Sequence, residues 1–308
     1  MQFAHYTGLD TPRFQSKPVQ TRESPPSRHR SASNSIPHGL LHAAETNSPK
    51  RKRWHNTIRV EACHTKGMNS ALSSAAVSPM DTTYRITRLS NDGQRLIEAA
   101  SRDLNAQVPA CPKWTNEELL THMSIVWTGI AAQVRQTAAA RIPWKQLPKQ
   151  SPQEALTQVV TTLSETDPKT QLWTWGTDHT VRFFIRRAHL ETTIHRVDAE
   201  QAVEDQTPVP AADSIDGVDE LFTEVLAARE RILPSGTLHL HQTDGAGEFM
   251  LAAVDGSISV SHEHAKGDAA IRATAEELFL CAWGRRSLDG LQLFGDIDIA
   301  AQWMALAP

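Results

Sequence analysis

Glu191 and His195 lie four residues apart in the run Arg-Arg-Ala-His-Leu-Glu-Thr-Thr-Ile-His-Arg-Val-Asp-Ala-Glu over 186–200. On a helix, side chains at i and i+4 share one face, so a carboxylate and an imidazole placed this way can grip one divalent cation. The helix is well signalled. Phe183, Phe184, Leu190, Ile194 and Val197 recur at helical spacing, with neither Gly nor Pro from 181 to 207. Alone, such a pair is also an ordinary solvated pair of a surface helix. A third ligand type, His122, lies upstream. Thr115 and Glu118 form a capping box, and Leu119, Met123, Val126, Trp127, Ile130 and Val134 then trace a core-facing stripe whose face His122 shares. A buried imidazole needs partners for its ring nitrogens, which a backbone carbonyl or a metal can supply. Two inward His and one inward Glu would leave open positions on a metal, as catalytic rather than structural sites do.

The elements that must position these residues form four helices followed by a mixed segment. Ile86, Leu89, Gly93, Leu96, Ala100 and Leu104 mark the first, closed near Pro109. The second runs from the Thr115 cap to about Ala140. Ser151-Pro-Gln-Glu154 opens the third, through Leu156, Val159, Val160 and Leu163. The fourth carries Glu191 and His195. Joined by short links, they fold most simply as an antiparallel four-helix bundle over 80–207.

After Pro208 and Pro210 another helix is expected from about Ala211 to Arg231. The alternating runs 237–241, 248–252 and 257–261 then read as strands, and helical spacing returns at Ala273–Trp283 before a last short helix. Residues 208–308 therefore read as a smaller α+β domain. His239/His241 and His262/His264 are i, i+2 pairs pointing to one strand face. They read as exposed strand histidines rather than as a second metal site.

Charge is unevenly spread. Residues 1–79 hold 11 Lys and Arg against 4 Asp and Glu, while the remainder holds 20 against 31. The first stretch is rich in Ser, Pro, Arg and His, lacks a sustained apolar period and contains Pro49-Lys-Arg-Lys-Arg53. It reads as a disordered extension. A transit peptide, a nuclear address or a nucleic-acid-binding run are alternatives, but the preferred reading is that it is not part of the working protein, which starts near Met80. No apolar run approaches the ~18–20 residues of a membrane span. Cys63, Cys111 and Cys281 are widely spaced, with no Cys-x-x-Cys pair. The expectation is a reduced, cytoplasmic protein with neither a nucleic-acid nor a membrane partner.

Cys111-Pro-Lys-Trp-Thr115, Glu118-Leu-Leu-Thr-His122, Phe184-Ile-Arg-Arg187, Glu191-x-x-x-His195-Arg-Val-Asp198, Leu278-Phe-Leu-Cys-Ala-Trp-Gly-Arg285 and Gly295-Asp296 together resemble the mycothiol-dependent maleylpyruvate isomerase family. The resemblance covers about 80–308. It implies a DinB/YfiT-like metal-binding bundle, with a divalent metal, usually zinc, on His122, Glu191 and His195. It also implies mycothiol as a thiol cosubstrate and a sterol-carrier-like second domain. Many members place a His directly before the ligand Glu. Here Leu190 precedes Glu191, and His189 sits one earlier.

The implied chemistry is coherent. A free thiol has a pKa near ~8.5, and a divalent metal deprotonates a coordinated one. A thiolate added to a cis-enedioic acid makes a single bond that can rotate before elimination gives the trans isomer. A dianionic substrate needs cationic receptors, and Arg285 and Arg286 are the candidates, or else surface arginines at a helix end. Asp198 could orient a ligand imidazole or pair with Arg196 or Arg187. Two alternatives stay open: a metal-dependent hydrolase on the same bundle, and a non-catalytic metal- or thiol-sensing or ligand-carrying module. The sequence leaves the oligomeric state open.

Overall fold

The computed structural model describes residues 81–228 and 230–308. The expectations for 1–79 and Cys63 fall outside these residues. The helical half comprises α1 (Thr82–Arg102), α2 (Asn116–Arg135), α3 (Pro152–Glu165) and α4 (Val181–Ala202). Helix α1 packs on α4 and α2 on α3, with further contacts between α1 and α3 and between α2 and α4. The capping boxes at Thr115 and Ser151 both form, and Asp81 caps α1. Gly93, inside the apolar stripe of α1, lets α3 come close, since a Cβ there would stand 2.5 Å from a Leu156 methyl.

Helix α2 stops at Arg135 rather than near Ala140. Thr137 turns the chain with a φ of +41°. The buried Gln133 amide then satisfies the irregular segment, donating to the carbonyls of Ala138 and Ala140 and accepting from the Ile142 amide. A side chain that substitutes for the helix ladder removes the reason to continue it.

Helix α4 is buried almost all round, from Val181 to Glu200. Phe183, Phe184 and Ala188 enter the bundle core, whereas Ile194 and Val197 enter the core of the sheet half. One helix thus serves two hydrophobic cores. Its buried charges are paired, as burial requires: Arg196 bonds Glu200, and Arg187 bonds Glu191 and Glu220.

The sheet half contains α5 (Ala211–Glu220), β1 (Leu238–Gln242), β2 (Glu248–Val254), β3 (Ser257–Ser261), β4 (Ala269–Ala273), α6 (Ala275–Ala282), β5 (Gln292–Gly295) and α7 (Ile297–Met304). The strand order is β3-β2-β1-β4-β5, with β1 and β4 parallel and the other pairs antiparallel. Leu238 and Leu240 of β1 and Ala269 and Ile271 of β4 join Leu278, Phe279 and Trp303 in the core. The helix expected to reach Arg231 is shorter. Helix α5 ends at Glu220 and passes into a wider helical turn over Leu221–Val225. Strands β4 and β5 add to the three read from sequence. No helix among the described residues is long and apolar enough to cross a membrane.

Candidate metal centre

Helix α2 carries His122 and α4 carries Glu191 and His195, and their ligand-type atoms all lie within 4.8 Å of one another. A single oxygen is the meeting point. Glu191 Oε1 stands 3.3 Å from His122 Nε2 and 3.4 Å from His195 Nε2. The second oxygen, Oε2, is held by Arg187, one turn earlier on α4. Arg187 also pairs with Glu220 and lies 5.3 Å from the centroid of the Trp283 ring. The carboxylate is therefore fixed from behind, with one oxygen turned to the imidazoles.

His195 is oriented through its other nitrogen. Nδ1 lies 2.8 Å from Asp198 Oδ2, so it carries the hydrogen and Nε2 keeps its lone pair for the centre. Arg285, from the segment after α6, donates to Asp198 twice, at 3.0 Å from Nε and 2.8 Å from Nη2. Burial pushes the Asp198 carboxyl up, but Arg285 and then the His195 hydrogen bond outweigh it and hold it well below the usual carboxylate range. Burial also dominates at the imidazoles. It lowers His122 well below its ordinary value, with His195 adding to the effect, and lowers His195 against the pull of Asp198. Both rings are thus neutral near pH 7, the form that ligates. Trp114 shields them, its ring 4.9 Å from that of His122 and 6.2 Å from that of His195.

Two neutral imidazole nitrogens and one carboxylate oxygen are a donor set that suits zinc-like divalent ions. Separations of 3.3 and 3.4 Å match the edges of a tetrahedron whose metal–ligand bonds are about 2.0–2.1 Å. The residues present fit such an ion.

The other residues singled out in the sequence fall as follows. Asp198 does meet the His195 imidazole, but its arginine is Arg285, neither Arg196 nor Arg187. Arg285 is buried and also donates to the Trp283 carbonyl at 2.7 Å. Arg286 is part-exposed and pairs with Glu277 at 2.8 Å. Both arginines line an open cleft with Pro109, Gln201, Glu204 and Gln206, and none of the three candidate ligands lines it. His189 is fully buried, with Nε2 3.5 Å from Asp213 Oδ1 and its ring 6.2 Å from that of Tyr84, so its neighbours are not the three ligands. Sequence reasoning named Arg187 only as a partner for Asp198 and missed its pairing with Glu191, although the i, i+4 relation was a local signal. It also missed Glu220, which had none.

Of the histidines read as exposed strand residues, His262 and His264 are exposed and follow the end of β3, whereas His239 departs from that expectation. His239 is buried, and His239, His241 and His264 gather on Glu248, while His262 reaches Asp219 at 3.2 Å.

Residues 86–200 match the family of mycothiol maleylpyruvate isomerase N-terminal domains, and residues 212–302 match the family of the C-terminal domains of the same proteins. A solved mycothiol-dependent maleylpyruvate isomerase has a similar fold, with a TM-score of 0.51 at 14% identity over 70% of this chain and 93% of that one. A point mutant of such an isomerase gives a TM-score of 0.51 at 13% identity with the same coverage. No curated protein matches the chain significantly. With both halves matched, in order, the chain belongs to the mycothiol-dependent maleylpyruvate isomerase family.

Proposed function

We propose that the protein is a metal-dependent enzyme that uses a low-molecular-weight thiol, mycothiol, to isomerise a small cis-enedioic acid or to carry out a related thiol transfer. The observation that carries this reading is the buried pair His122 and His195 converging on one oxygen of Glu191. These three residues would hold a divalent metal, for which zinc best suits the donor set. When bound, it supplies the Lewis acidity that turns a coordinated thiol into a thiolate at neutral pH.

The chain's own residues prepare that chemistry. Arg187 keeps Glu191 from rotating, Asp198 fixes the tautomer of His195, and Trp114 excludes water from the imidazole faces. Burial pushes the Cys111 thiol up to about 12 and the Cys281 thiol up to about 11, so neither is a nucleophile near pH 7. This favours a sulfur brought in by a cosubstrate. Part-exposed Arg286 gives the neighbouring cleft a cation for a substrate carboxylate, whereas Arg285 is committed to Asp198 and the Trp283 carbonyl.

The test is an isomerisation assay of the zinc-reloaded full chain against a panel of cis-enedioic acids, maleylpyruvate included, with mycothiol present or withheld. Turnover should require both zinc and thiol and should vanish in His195→Ala. Turnover independent of thiol would replace this reading with metal-dependent hydrolysis or hydration, and no turnover on any member would remove the isomerase assignment.

A further inference from the structure

We propose that the sheet half carries a second transition-metal site, built by His239, His241, Glu248 and His264. It shares no residue with the bundle centre and does not depend on the function proposed above.

The pleat of β1 creates the site. Leu238 and Leu240 face the core, so His239 and His241 project together from the opposite face. Glu248 of β2 is directly across from His241 in the antiparallel register. His264 comes from the connection between β3 and β4. The four residues each offer a ligand-type atom, and these atoms all lie within 4.8 Å of one another.

The carboxylate is the centre of the group. Glu248 Oε2 is 2.6 Å from His239 Nε2, and Oε1 is 2.8 Å from His241 Nδ1 and 3.0 Å from His264 Nδ1. The rings do not stack on one another. Their centroids are 5.0 to 6.0 Å apart and their planes are crossed at 65° to 85°, and one nitrogen of each lies against the Glu248 carboxylate. One carboxylate carries a single negative charge, and one imidazole would satisfy a cross-strand pair. Three imidazoles on one carboxylate are a His₃Glu donor set, which suits a divalent ion of borderline softness.

The spacing is close to what such an ion needs. Tetrahedral zinc with bonds of about 2.0–2.2 Å separates its ligand atoms by roughly 3.3–3.5 Å. The three nitrogen–oxygen contacts would therefore lengthen by less than ~1 Å. His264 can accommodate this, because its side chain is 72% exposed. His239, His264, Lys266 and Phe294 line an open cleft beside the group, which gives an ion a route to solvent. Nitrogen-rich ligation selects Zn²⁺, Co²⁺, Ni²⁺ or Cu²⁺ over Mg²⁺ and Ca²⁺. Three ligands sit on adjacent strands and the fourth on a loop, so binding would pin the β3–β4 connection to the sheet.

The experiment is a Co²⁺ titration of the chelator-stripped full chain, read by visible absorption and by metal retained on dialysis, with Zn²⁺ melts in parallel. Four proteins are compared: wild type, His122→Ala/His195→Ala, His241→Ala/His264→Ala, and the variant with all four changes. The His241/His264 pair should remove one equivalent from both backgrounds. It should also abolish the Zn²⁺-dependent rise in Tm that survives in the bundle double variant. The histidines of 1–79 are common to all four proteins and cancel in the differences. Both replaced side chains are partly or largely exposed, and Glu248→Gln, which keeps shape but loses charge, gives a second measure that should weaken Co²⁺ binding at least roughly tenfold. Metal content that does not change with His241 and His264, or Co²⁺ affinity unchanged by Glu248→Gln, would overturn the site. Metal lost through the His122/His195 changes reports on the other centre, and it leaves the difference made by His241 and His264 as the measure of this one.

Discussion

Glu191 divides its carboxylate between two partners, and this division is the residue-scale basis of the proposed centre. Oε2 goes to Arg187 and Oε1 to the imidazoles, so a buried charge is neutralised from one side and left available on the other. That these three side chains come together was legible because helix geometry is local: four residues separate Glu191 from His195, and the apolar stripe of α2 placed His122 inward. Asp198 was legible for the same reason, three residues from His195. Arg285 as its partner was not, because nothing in the spacing of 87 residues marks the pair. Asp198→Asn should weaken metal binding about 10–100-fold while leaving all three ligands in place. Competition with a chromophoric chelator would measure this, and equal affinities would mean that Asp198 does not position His195.

At the scale of elements, α4 explains why the pattern was strong yet incomplete. It is buried on nearly all sides, so its apolar residues serve two cores and its charges had to find partners. The starts of α2 and α3 were readable from their capping boxes. Ends were less so, because Gln133 and the turn at Thr137 stop α2 by contacts made after the helix. Strand β4, Ala-Ala-Ile-Arg-Ala, alternates too weakly to be seen as a strand, and its parallel pairing with β1 is set by the fold. Helix α5 docks on α1 and α4 through acids. Asp213 accepts from Tyr84 and Arg88, and Asp216 pairs with Arg85 and Arg186. Burial raises the Asp213 carboxyl, but His189, then Arg88 and Tyr84, more than offset it and hold it below its ordinary value. A folded pKa below the unfolded value of about 3.9 contributes stability above about pH 4 that is lost as pH falls through the folded value. Asp213→Asn should therefore cost about 1.5–3 kcal/mol at pH 7. Its deficit against wild type in urea unfolding should shrink below about pH 4. A deficit constant with pH would show that the charge of Asp213 is not the source.

At the scale of the molecule, the two halves meet through charge pairs that lead to the centre. Arg285 of the sheet half holds Asp198, and Glu220 holds Arg187, so the partners of both His195 and Glu191 are supported by a residue beyond the bundle. The change of texture after Pro208 marks where strands enter the chain, but the pairs Arg285–Asp198 and Glu220–Arg187 were not legible, since they are long-range. Arg285→Met should cost about 3–5 kcal/mol by leaving a buried carboxylate unpaired. The double change with Asp198→Asn should cost less than the sum of the two singles, and strict additivity in urea unfolding would break the proposed link. The most direct test of the central claim is metal analysis of the zinc-reloaded full chain beside His122→Ala, Glu191→Ala and His195→Ala, using fresh protein under identical dialysis. Each single change should lower the zinc content by one equivalent relative to wild type, and the three should lower it equally. Wild-type zinc content in all three variants would contradict a centre formed by these residues.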